Sequence, residues 1–110
     1  MNRDLTPHNE TQFAARQGLQ LPAVINRAGE RAGRTFLEFF FAHIRNANTR
    51  RAYARAVGAF FAWCEARDLE LSRIEPIAIA AYIEQHPGSK PTVKQHLAAI
   101  RMLFDWFVIN

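Results

Sequence analysis

The sequence predicts an all-α fold, a bundle of four main helices with short connections. Three observations carry this. Apolar residues recur at spacings of three and four, as one face of a helix requires. Asn, Thr, Ser and Pro stand where these stretches begin, the positions at which such residues cap or start helices. No stretch alternates apolar and polar residues over the length of a strand.

The 110 residues suit one domain. Residues 1–20 show no periodicity and are expected to be a flexible leader, with at most a helical turn around Phe13 to Gln17. The folded domain is expected over residues 21–108. Its opening Leu-Pro-Ala-Val-Ile at 21–25 caps the bundle or begins a short helix, and Gly29 and Gly33 interrupt the next stretch. The first main helix is expected over residues 35–44. Phe36, Leu37, Phe39, Phe40 and Phe41 make it apolar nearly all round, hence largely buried.

The second helix, to about Arg67, has Asn48 or Thr49 as its expected N-cap. Tyr53, Val57, Phe60, Phe61 and Cys64 form its apolar face. Leu69 and Leu71 are expected to pin the next loop to the core. The third helix starts at Glu75-Pro76, with Ile77, Ile79, Ala80, Tyr82 and Ile83 turned inward, and ends before Pro87-Gly88. The fourth spans about 92–108, with Ser89 or Thr92 near its cap and Val93, Leu97, Ile100, Phe104 and Phe107 on its inner face.

Charge is unevenly distributed along this chain. The net charge is +4 and the pI about 10.0, which favours a polyanionic partner. No acid occurs between Glu38 and Glu65, or between Glu84 and Asp105, and both gaps are basic. Arg50 and Arg51 sit in the first turn of the second helix, where positive charge opposes the helix macrodipole. That local conflict points to an anionic partner outside the helix. If the second and fourth helices start on the same side of the bundle, their entrances make one positive patch. Its members are Thr49, Arg50, Arg51 and Arg55, with Ser89, Lys90, Thr92, Lys94, Gln95 and Arg101. Arg and Lys neutralise phosphates, Ser and Thr bond phosphate oxygens, and Gln or Arg reads base edges. The expected partner is double-stranded DNA, with an ordinary solvated face as the alternative.

Other chemistry finds little footing. The single cysteine, Cys64, excludes an intramolecular disulfide and fits a cytoplasmic location. His8, His43, His86 and His96 lack zinc-ligand spacing, so no metal is expected, and no glycine-rich phosphate loop points to a cofactor. No stretch approaches the roughly 18 apolar residues of a membrane span.

The run Asn48-Thr-Arg-Arg-Ala-Tyr53 with the later Phe60-Phe-Ala-Trp-Cys64 resembles the N-terminal core-binding domain of tyrosine recombinases, the phage-integrase-type site-specific recombinases. So does Ser89-Lys-Pro-Thr-Val-Lys-Gln-His-Leu-Ala-Ala-Ile-Arg101, which is similar to that domain's last helix. The resemblance covers about residues 20–108 and implies a SAM-like four-helix domain. It implies half of a C-shaped clamp on a recombination half-site, held through the second and fourth helices. The family's catalytic domain carries a His-x-x-Arg motif and a nucleophilic Tyr. Here the third residue after each His is Thr11, Asn46, Ser89 or Ala99. The expectation is therefore a non-catalytic, DNA-binding piece of a longer recombinase, monomeric by itself, whose parent assembles as a tetramer on DNA. The alternative is a helical protein–protein interaction module that uses an exposed Trp63 or Trp106.

Overall fold

The computed structural model describes residues 7–16 and 18–110, with side chains from Gln12 onward. The described residues form six α-helices and no strand: α1 (Pro7–Arg16), α2 (Ala23–Arg27), α3 (Glu30–Glu38), α4 (Ala47–Ala66), α5 (Pro76–Gln85) and α6 (Lys90–Ile109). A π-helical turn, Phe39–His43, extends α3, and a 3-10 turn, Leu71–Arg73, precedes α5.

The stretch expected to be a leader holds α1, and Ala14 and Leu19 belong to the buried core. Phe13 lies edge-on against Phe41 at 5.4 Å. Gln17 lies outside the described residues. The first main helix begins at Glu30, five residues earlier than expected, because Gly29 supplies a φ of 107° at the N-cap. Gly33 does not interrupt it. That position is buried inside α3, where a Cβ would come 3.4 Å from Leu21.

Asn46, not Asn48 or Thr49, caps α4. Its Oδ1 accepts the Thr49 N–H at 3.0 Å. The helix ends in a Schellman turn: Leu69 N–H donates to the Cys64 carbonyl and Asp68 N–H to that of Glu65. Asp68 takes the left-handed position at φ 57°, and Leu69 packs on the core as expected. Leu71 packs there too. Pro76 begins α5, as its missing N–H favours.

The core is aromatic. Phe36, Phe39, Phe40, Phe60 and Phe61 are sealed from solvent, with Ile100 and Leu103 of α6. Their rings meet at 5.0–6.3 Å in tilted or edge-on pairs, the arrangement the aromatic quadrupole favours. Two parts of the expected core face water: Ile77 is 75% exposed, and Ala80 is exposed too. Tyr82 instead anchors α5, its ring 5.2 Å from Phe60. On α6 the seal is made by Ala99, Ile100 and Leu103, while Val93, Leu97, Phe104 and Phe107 are half-buried around it.

Candidate nucleic-acid interface

The direction of each helix decides what the basic residues can form together. The start of α4 lies against the end of the α3 extension, since Arg50 bonds the carbonyls of Phe40 and Ile44. The far end of α6 reaches the same region. The Trp106 ring is 6.2 Å from Phe39 and 5.1 Å from His43, and its indole N–H donates to the Thr35 carbonyl at 3.0 Å. The start of α6 meets the other half of α4, through Trp63, then Tyr82 at 5.6 Å, then His96 at 6.3 Å. The two helices therefore run in opposite senses, and their basic entrances lie at opposite ends of the pair. Arg51 and Trp63 alone are twelve residues apart on α4, roughly 18 Å at the helical rise. The condition for a single patch at two adjoining entrances is not met.

Two basic sets result. On α4, Arg51 and Arg55 are exposed one turn apart. They line a cleft of about 410 Å³ whose other wall includes Ala15 and the connection Gly18, Leu19 and Gln20. Arg51 also donates to Asn48 Oδ1, which orients it along the helix start. On α6, Lys90, Lys94 and Arg101 are exposed at spacings of four and seven, so they share one side of the helix. Gln95 is exposed about 100° around the helix from Lys94. Among the described residues Arg55, Lys90, Lys94 and Arg101 make no ion pair or hydrogen bond; the salt bridge found there joins Arg27 to Glu65 at 3.2 Å.

The polar residues have local tasks. The Thr49 N–H is taken by the cap, and Ser89 Oγ accepts the Thr92 N–H at 3.4 Å while pairing with Thr92 Oγ1 at 3.0 Å. Arg50 departs most from expectation. It is half-buried, and its guanidinium is engaged by main-chain carbonyls and by the Phe41 ring at 5.1 Å.

A second cluster sits beside the start of α6. Tyr82 OH and His96 Nδ1 are 3.1 Å apart, and the His86 and His96 rings meet edge-on at 4.5 Å. His86 Nδ1 accepts the Gly88 N–H at 2.9 Å, which fixes the turn leading to Ser89. Composition and spacing gave no sign of this cluster, because His86 and His96 are ten residues apart on two elements. Burial first, and the neighbouring His86 second, hold the His96 pKa below its usual 6.5. Between the folded and unfolded values the unfolded chain binds more protons, so stability falls as pH drops through that window. Urea unfolding measured from pH 7.5 to pH 5 should show this loss, and His96→Gln should flatten it. An unchanged slope in the variant would exclude His96 as its source.

Cys64 is a buried thiol pushed up to about 11 by burial, against the opposing pull of the Arg67 guanidinium. It is neutral and unreactive at physiological pH. Arg67 lies over the Trp63 ring at 4.1 Å, and the Trp63 indole N–H donates to Gln85 Oε1 at 3.3 Å. Both tryptophans are thus half-buried with their N–H groups bonded. The described residues hold no cluster of three His, Cys, Asp or Glu able to bind a metal, and no helix long and apolar enough to cross a membrane.

Comparison with known proteins agrees with this architecture. No curated protein and no solved structure matches the chain. One family model does, over residues 34–109, the part that includes the α3 extension, α4, α5 and α6. The match covers the N-terminal SAM-like domain and no catalytic domain. The chain belongs to the family of phage integrase N-terminal SAM-like domains.

Proposed function

We propose that this chain is a DNA-binding domain of a tyrosine site-specific recombinase that acts in the cytoplasm. In this reading it grips duplex DNA as one arm of a clamp and performs no catalysis itself. The domain is monomeric alone and belongs to a parent that forms a tetramer on DNA; its SAM-like part lies within residues 21–108, with α1 packed against it. The observation that carries the reading is the α6 stripe: Lys90, Lys94 and Arg101 exposed on one side of a helix, in a segment with no acid between Glu84 and Asp105. Unpaired cations held together by a rigid helix are suited to a row of phosphates. Arg51 and Arg55 form a second contact set at the other end of α4. A separation of this order suits two phosphate strands flanking a major groove of about 12 Å better than one cluster would. Gln95 and Arg55 are assigned to base edges; Ser89, Thr92 and the first turns act through backbone N–H groups and caps. The alternative of a protein-interaction module loses its anchors, since Trp63 and Trp106 are both engaged inside the fold.

Titration of Arg51→Ala, Lys94→Ala and Arg73→Ala proteins with a short mixed-sequence duplex tests the assignment. The first two should weaken binding to all sequences alike and lower the salt slope by about 1 each. Arg73, exposed among the acids Glu70 and Glu75, should matter little. Folding should hold within about 0.5 kcal/mol in all three. If Arg73→Ala binds as poorly as the others, the DNA lies on a different face.

A further inference from the structure

We infer that Arg50 is a positioning residue for DNA binding and not a phosphate contact; the inference rests on the function proposed above. The α3 extension ends at His43 and α4 begins at Ala47, so only Ile44, Arg45 and Asn46 join them. The last carbonyls of the first helix have no helical donor, and they form the negative end of its macrodipole. Arg50 meets this need from the next helix. Its Nε donates to the Phe40 carbonyl at 2.7 Å and its Nη2 to the Ile44 carbonyl at 3.0 Å. The guanidinium also stands 5.1 Å from the centroid of the Phe41 ring. Its positive charge, unfavourable at the start of α4, is thereby placed against the end of the preceding helix, where a cation is favourable. The fork ties the start of α4 to the last turn of the α3 extension and to the first residue of the connection, and so fixes the angle at which α4 leaves the core. Arg51 and Arg55, the exposed arginines of the same helix, inherit their direction from it.

The arrangement requires arginine and not merely charge. A lysine carries one ammonium on a flexible stem and lacks the rigid pair of donors that reaches two carbonyls at once. Charge and geometry can therefore be separated by Arg50→Lys and Arg50→Gln, compared with Arg51→Lys and Arg51→Gln. Each protein is titrated with a mixed-sequence duplex over a range of salt, at a temperature where thermal melts show all of them folded. A positioning role predicts several-fold weaker binding for both Arg50 variants with the salt slope unchanged. For the Arg51 pair, Lys should retain most of the affinity and Gln should lower the slope by about 1. Hydrogen exchange adds a readout independent of DNA. The amides of the first turns of α4 should exchange faster in Arg50→Lys, while those of α6 around Ile100 stay protected. The inference is overturned if Arg50→Lys binds like the unaltered protein, if Arg50→Gln lowers the salt slope, or if exchange at the start of α4 is unchanged. Failure of the underlying DNA-binding reading looks different: the unaltered protein would itself show no salt-dependent binding.

Discussion

Phe60→Ala is expected to lower the unfolding free energy by about 3–5 kcal/mol. Phe60 is fully buried, and its ring meets four others: Phe61 at 5.4 Å, Trp63 at 6.2 Å, Tyr82 at 5.2 Å and Phe104 at 6.3 Å. These come from α4, α5 and α6, so no single helix can move in to fill the space that alanine leaves. The cost then contains both the lost transfer of the ring from water and a cavity term. Urea unfolding measures it, and Ile77→Ala on the exposed side of α5 is the control, expected within about 0.5 kcal/mol of the unaltered protein. A cost below about 1 kcal/mol at Phe60 would mean that the three helices do not close on this ring.

The second large effect concerns salt. Four exposed cations, Arg51, Lys90, Lys94 and Arg101, are proposed to meet phosphates, with Arg55 beside them at the base edges. If four or five phosphates are neutralised, log K should fall against log salt with a slope of about −4. Raising salt from about 50 to about 200 mM should then weaken binding by about two orders of magnitude. Affinity at physiological salt should be near non-specific strength, roughly 10⁻⁴–10⁻⁶ M, because half a clamp lacks the contacts of its partner domain. Fluorescence anisotropy on a labelled duplex gives both numbers. A flat response would return the protein-interaction reading to first place.

Periodicity made the faces of the helices legible and left their directions open. The α4 face from Val57 to Cys64 was readable because a buried stripe in one helix needs only local spacing. The contribution of α1 was not, since Ala14 and Leu19 enter the core from a stretch without repeat. On α6, alanine carries little weight in a hydrophobic pattern, yet Ala99 is fully buried. The basic set was legible as composition and not as a surface. Whether two helix entrances adjoin depends on how the helices cross, which no local pattern encodes. Arg50 and Arg51 show the sharpest limit. Adjacent and chemically identical, both violate the dipole preference of a first turn, and that violation signals a partner without naming it. For Arg50 the partner is a pair of carbonyls six and ten residues upstream; for Arg51 it is proposed to be DNA.

The bond from the Trp106 indole to the Thr35 carbonyl joins residues 71 apart in sequence. It has a consequence for the order of events during synthesis. Ala99, Ile100 and Leu103, each wholly buried, arrive on α6, which follows the other helices of the domain in sequence. Until α6 leaves the ribosome, the earlier helices can form, but Phe60 and Phe61 lack the Phe104 ring that packs against them. At about 5–20 residues added per second, this interval lasts on the order of seconds, long compared with helix formation. The nascent domain spends that time with this part of its aromatic core open to chaperones or to other chains, until α6 docks.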